Sequence, residues 1–162
     1  MKIEIKTLEL LDALNKVEKG LLKNHEVLSG IKIKTAIFGE GLSLQSTNHE
    51  VMINTNITDN LQVLEKGEVL LPGKYLIDII KKLNGEFVTL ETKDNDVIIK
   101  SGRSRFKLRL LDIEKFPEFE NREYTREFTL KTDLFIKLVN KTIHATSDKM
   151  SIFQGVNFKT KD

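Results

Sequence analysis

Cysteine is absent, which removes disulfide frameworks, thiolate metal sites and cysteine nucleophiles together and suits a reducing compartment. Proline and glycine are scarce, at 2 and 9 of 162 residues, so collagen-like repeats and low-complexity disorder are poor descriptions of the chain. An excess of one charge is missing as well. With 26 Lys+Arg against 24 Asp+Glu the formal net charge is +2, which argues against a binder that acts through extreme basicity alone. No apolar run approaches the roughly 20 residues that span a bilayer, and Met1-Lys2-Ile3-Glu4-Ile5-Lys6 alternates too strictly for a signal peptide. What is present is an ordinary globular composition, 40% hydrophobic, and the reading is a soluble, cytoplasmic protein with no membrane partner. The length accommodates one domain of common size plus a remainder.

Ile3 and Ile5 alternate with Lys2, Glu4 and Lys6, the period-two signature of a half-buried strand. A helix follows, with Thr7 as its N-cap and Leu10, Ala13, Leu14 and Val17 forming one apolar stripe. Three alternating runs come next: Ile31 to Ile37, Leu42 to Ser46 and Val51 to Ile57, the first two joined by Gly39-Glu40-Gly41. The order then repeats. Glu68 to Leu71 reads as a strand, Pro72-Gly73 as a break, and Leu76, Ile79, Ile80 and Leu83 as a second helical stripe closed by Asn84-Gly85. Phe87 to Glu91, Val97 to Lys100 and Ser104 to Leu110 supply three more strands, with Asp94-Asn95-Asp96 as a turn. Residues 1 to about 116 therefore hold a strand, a helix and three strands twice over, an internal duplication that Phe116-Pro117 ends.

A third copy begins with a strand at Glu127 to Leu130 and a helix capped by Thr132 that carries Phe135, Leu138, Val139 and Thr142. One further strand, Val156 to Lys159, fits before Asp162, so the unit reads as truncated and its apolar helix face as undercovered.

No catalytic constellation stands out. His25, His49 and His144 lie at no metal-ligand spacing and read as surface or turn histidines. Asp94 and Asp96 lack the glycine and glutamate of a calcium loop, and Gly39-Glu40-Gly41 and Ser101-Gly102 are too short to cradle phosphates. Clustered carboxylates for two-metal chemistry are missing, so neither an enzyme activity nor a metal or other cofactor is expected. One pattern rises above this background: the polar helix faces are biased to lysine, with Lys16, Lys19 and Lys23, then Lys74, Lys81 and Lys82, then Lys137 and Lys141. Helices that turn lysines to one side make a positive surface able to meet phosphates without reading bases. The densest basic cluster is Lys100 to Lys107. As a strand it puts Arg103, Arg105 and Lys107 on one face and Ser104 and Phe106 on the other, either as a further phosphate patch or as an edge whose arginines pair with a partner's carboxylates.

Ser101-Gly102-Arg103-Ser104-Arg105-Phe106, followed by Phe116-Pro117, resembles the end of the first domain of the bacterial sliding clamp, the β subunit of DNA polymerase III. Leu28-Ser29-Gly30-Ile31, Leu42-Ser43-Leu44, Thr47-Asn48-His49-Glu50, Pro72-Gly73-Lys74 and Gly155-Val156-Asn157-Phe158 extend the resemblance over essentially the whole chain. It implies an α+β DNA-clamp fold: duplicated strand-helix-three-strand units with helices on one face of a curved antiparallel sheet. Residues 1–121 would form the N-terminal clamp domain and residues 122–162 an incomplete second domain. It further implies a processivity factor that tethers DNA polymerase III to duplex DNA, with a clamp loader as another partner. On the same ground Lys23 and Lys74 are expected to contact the DNA backbone, and Arg103, Arg105 and Phe106 to form the first-domain side of a subunit interface, with Leu83 and Ile79 near it. That interface would meet another copy of the chain or a complete clamp subunit. The alternative is a clamp-derived interaction module whose Arg103, Arg105 and Phe106 edge docks on a complete clamp and modulates replication. The chain also departs from the family pattern, with Met150 where arginine is common, Asn48 where aspartate is frequent and His25-Glu26-Val27-Leu28 in place of a proline-containing segment.

Overall fold

Alternation at the N-terminus produces β1 (Lys2–Lys6), with Ile3 and Ile5 fully buried, and the chain passes without a loop into α1 (Thr7–Val17). The computed structural model describes residues 1–36, 41–118, 127–147, 149 and 153–159. Thr7 is not the N-cap of α1. Lys6 holds that position in extended backbone, and the Thr7 hydroxyl donates instead to the Gly85 carbonyl at 2.7 Å, pinning the helix start to the loop that precedes the second set of strands. The stripe of Leu10, Ala13, Leu14 and Val17 is buried as its spacing predicts, and each of its larger side chains contributes roughly 1.5–3 kcal/mol by leaving water. A single 3-10 turn, Glu18–Gly20, ends the helix.

The strands β2 (Gly30–Thr35), β3 (Leu42–Thr47) and β4 (Met52–Ile57) follow in antiparallel meander. Of the turn expected at Gly39-Glu40-Gly41, Gly39 and Glu40 lie outside the described residues; Gly41 offers its carbonyl to the Ala36 amide. A strand that the alternation pattern does not single out, β5 (Leu61–Glu65), comes next. The residues between β4 and β5 include Asn60 at φ +53°, a left-handed conformation that asparagine tolerates, and there the chain leaves one sheet for the other. β6 (Glu68–Pro72) leads directly into α2 (Gly73–Lys81), whose buried face is Leu76, Ile77 and Ile80, so Ile77 rather than Ile79 completes the stripe. β7 (Phe87–Lys93), β8 (Asp96–Ser101) and β9 (Ser104–Arg109) close the repeat through two-residue hairpin loops. Each loop has positive φ at its first residue, Asp94 at +53° and Gly102 at +55°.

The antiparallel strands divide between a five-stranded sheet, ordered β5-β1-β7-β8-β9, and a four-stranded sheet, ordered β4-β3-β2-β6. The two repeats exchange strands in doing so. β1 of the first pairs with β7 of the second, Ile3 opposite Leu90, while β6 of the second pairs with β2 of the first, Val69 opposite Ile33. One hydrophobic core results, joining Ile3, Leu14, Ile33, Leu44, Leu76, Leu90 and Ile99 from both sheets and both helices. The outer edge of β6 is covered: the Leu111 amide donates to the Leu70 carbonyl, and Val27, Leu70 and Phe116 form a small second cluster. Gly30 permits that approach, since a Cβ there would lie within 3 Å of both the Leu70 and Leu111 methyls.

The chain divides into two compact units, Met1–Phe119 and Glu120–Asp162. Within the second, α3 (Thr132–Thr142) forms as its periodicity predicts and a 3-10 turn, Ile143–Ala145, follows. Thr132 is again the first helical residue rather than the cap, which is Lys131. The segments 127–130 and 156–159 are not strands, because neither finds a ladder partner among the described residues and a strand without one leaves its amides and carbonyls to water. α3 buries no residue; Phe135 stacks on Phe158 with ring centroids 5.7 Å apart. No helix among the described residues is long and apolar enough to cross a membrane.

Candidate nucleic-acid and subunit interfaces

Two segments far apart in the chain build one cleft in the first unit. After α1, the loop from Leu21 to Ser29 is folded back on itself by the Leu22 amide donating to the Leu28 carbonyl. His25 tightens it, its Nδ1 accepting from the amides of Val27 and Leu28 at 3.2 and 3.1 Å, while its ring meets His49 edge-on at 6.3 Å. These two histidines therefore serve turns, and among the described residues no group of three or more His, Cys, Asp or Glu is placed to hold a metal ion. The Ser29 carbonyl then accepts from the Gly73 amide at 2.9 Å, which ties the end of this loop to the start of α2. Lys23 on the loop and Lys74 on the helix consequently line the same cleft of about 380 Å³, together with Glu18, Leu21, Asn24, Ser29 and Asp78.

The lysines of the helix faces are not equivalent. Lys16 is bound to Asp12 one turn earlier at 2.6 Å, and Lys81 lies 3.8 Å from Glu18. Lys19, Lys23, Lys74 and Lys82 are exposed and have no carboxylate partner among the described residues. An unpaired exposed ammonium is free to exchange its counterion for a phosphate, and two of these line one concavity. Lys137 and Lys141 lie on α3 in the second unit, also exposed.

β9 is the edge of the five-stranded sheet, paired among the described residues with β8 alone, so a row of its amides and carbonyls faces outward. Arg103 sits in the β8–β9 hairpin loop rather than on the strand, because β9 begins at Ser104. Arg105 stands opposite Lys100, an arrangement of like charges that costs stability unless anions are near. The nearby carboxylates are already committed. Lys100 takes Glu91 at 2.9 Å and Lys107 takes Asp96 at 2.8 Å, leaving Arg103, Arg105 and Arg109 without a carboxylate among the described residues. Glu91 is held below the usual carboxylate range by the Lys100 hydrogen bond first and that from Lys2 second. Phe106 pairs with Ile99, on the side of the sheet that faces the core, yet it remains 37% exposed. The hairpin thus presents free guanidinium forks and a half-uncovered aromatic ring on an open edge. Leu83 is buried and Ile79 half-buried in the core.

Sequence reasoning passes over Arg109, although the alternation Arg105, Lys107, Arg109 carries it; it passes over Asp78 too, whose signal is the one-turn spacing from Lys74. Nothing in the sequence points to Asn24 or Ser29 in the cleft.

A family model for the N-terminal domain of the DNA polymerase III beta subunit matches residues 1–120. The chain belongs to the DNA polymerase III beta subunit family. It is 31% identical to the beta sliding clamp of Mycoplasma capricolum, over 98% of this chain and 44% of that protein. Against the beta sliding clamp of Bacillus subtilis it is 27% identical, over 99% of this chain and 45% of that protein. Among solved structures, the Bacillus subtilis DNA polymerase sliding clamp superposes with a TM-score of 0.87 at 25% identity, covering 93% of this chain and 42% of the other. Caulobacter crescentus pol III beta gives 0.85 at 28% identity, covering 93% and 40%. The sliding-clamp fold is therefore that of this chain, which spans less than half the length of the relatives it matches.

Proposed function

We propose that the chain works in DNA replication as part of a sliding clamp, a processivity factor that keeps DNA polymerase III on duplex DNA in the cytoplasm and performs no bond chemistry. Residues 1–121 act as the N-terminal clamp domain and residues 122–162 as the first part of a second. The observation that carries the reading is the pairing of Lys23 and Lys74, two unneutralised ammonium groups from separate segments, on one cleft of a clamp-family domain. Their contacts are to backbone phosphates, which every sequence offers alike, so the protein holds DNA without stopping at any base. Arg103, Arg105 and Phe106 form one side of a subunit interface, supported by the open edge of β9 and the free guanidinium groups on it. A partner strand bearing carboxylates would complete the ladder and cover Phe106 in one step.

The test is the salt dependence of binding to labelled duplex DNA. Replacing Lys23 and Lys74 together by alanine is expected to lower the slope of log affinity against log salt by about 0.9 for each phosphate that is no longer neutralised. Both side chains are exposed, so the variant keeps its thermal transition; an unchanged slope overturns the assignment. Separately, Arg103→Glu with Arg105→Glu is expected to weaken co-sedimentation with a complete clamp subunit, and undiminished association removes these residues from the interface.

A further inference from the structure

We infer that Asp78 sets the strength of the phosphate contacts at the Lys23–Lys74 cleft, acting as a built-in counter-charge that keeps them weak. The inference rests on the reading of that cleft as a phosphate site and adds to it a residue that opposes binding. Asp78 lies four residues after Lys74 on α2, one helical turn along the same face, and lines the same cleft. Its neighbours define its role. Glu18, the other carboxylate there, is answered by Lys81 at 3.8 Å, whereas Asp78 forms no ion pair with Lys74 or with any other described residue. The cleft is therefore lined by two free ammonium groups, one carboxylate that Lys81 answers and one free carboxylate.

A phosphodiester drawn in by Lys23 and Lys74 brings its negative charge to within a cleft's width of the Asp78 carboxylate. At such a separation, well inside the Debye length at low salt, the repulsion is partial: strong enough to shorten the stay on each phosphate and too weak to prevent it. A site with the two lysines alone would carry two uncompensated charges toward each phosphate. Asp78 reduces that excess to one, the charge that a single phosphodiester neutralises. The ligand is the sugar-phosphate backbone of duplex DNA, and the quantity Asp78 controls is the grip on it.

The experiment compares the 162-residue chain with Asp78→Asn, Lys74→Ala, the double variant and Glu4→Gln, by anisotropy of a short fluorescein-labelled duplex, first in EDTA and then in magnesium without EDTA. Glu4 is an exposed carboxylate on β1 and reports the effect of net charge alone. Asp78→Asn is expected to tighten binding about two- to threefold at low salt, the gain shrinking as salt shortens the screening length. Glu4→Gln is expected to give less than half of that gain, and in the Lys74→Ala background the gain from Asp78→Asn disappears. The inference is overturned if Asp78→Asn matches Glu4→Gln or if its gain survives without Lys74. It is also overturned if magnesium makes Asp78→Asn weaken binding, because the carboxylate would then help through a bridging cation. If Lys74→Ala leaves binding unchanged, or the chain does not bind the duplex, the phosphate-site reading itself fails. If Lys74→Ala weakens binding while Asp78→Asn does nothing, the inference about Asp78 fails alone.

Discussion

α1 and α3 are both 11 residues long, both open on threonine and both carry an apolar stripe, yet α1 buries five residues and α3 none. Leu14 is sealed among strands of both sheets, while Phe135 and Leu138 of α3 stand 41% and 45% exposed. The difference lies outside the helices. An amphipathic pattern states which face has to be covered; the cover is supplied by strands that pair elsewhere in the chain, and the described residues of the second unit contain none.

Truncating the same residue type in each helix measures how differently the two are held. Leu14→Ala is expected to cost about 3 kcal/mol, lost transfer energy plus a cavity that the packed core does not close, read as a fall in the urea midpoint. Leu138→Ala is expected to change the same transition by about 0.5 kcal/mol or less, since its side chain already meets water. Equal losses would mean that α3 is as firmly held as α1. A second pair sharpens the contrast at polar groups. The fully buried Ser46 hydroxyl donates to the Val17 carbonyl at the end of α1, and Ser46→Ala strands that carbonyl away from water at about 1 kcal/mol or somewhat more. Thr142 on α3 makes similar bonds to the carbonyls of Leu138 and Val139 in the open, so Thr142→Ala should leave the urea midpoint where it is. A further small effect is electrostatic and belongs to the first unit. Glu91 has a folded pKa below its ordinary value, so the stability it adds is present above the ordinary carboxylate range and is lost as pH falls through and below it. Glu91→Gln should therefore flatten the acid limb of thermal stability against pH slightly, the effect being small because the site is open to solvent.

Strands whose two faces differ are legible: Ile3/Ile5 and the runs after α1 and α2 declare themselves by period two. Partition into two sheets is not, because opposing Ile3 to Leu90 and Ile33 to Val69 are decisions between distant segments that no local window contains. Thr7 and Thr132 read as caps but are the first helical residues, for one reason: the extended chain runs straight into the helix, so the preceding lysine takes the cap position. The strands expected in residues 127–130 and 156–159 failed on the same point as α3, since β-propensity without a neighbour is only an inclination. At the candidate sites, composition exposed the lysine bias, but singling out Lys23 and Lys74 took resemblance, and Asp78 emerged only when α2 put it one turn from Lys74 beside the cleft.

The exchange of strands between the two repeats has a consequence for the order of assembly. Ile3 and Ile5 are made well before their neighbours Leu90 and Val88, which lie on β7 far along the chain. A chain growing from its N-terminus therefore carries β1 half-paired, held by β5 alone, until β7 arrives, and the first repeat has no finished state in which to wait. For the same reason the peptide link between β5 and β6 carries little of the architecture. Cut there, each piece would keep strands of both sheets and the complementary edges needed to find the other, so the duplication behaves as two interlocking halves and not as two small domains in a row.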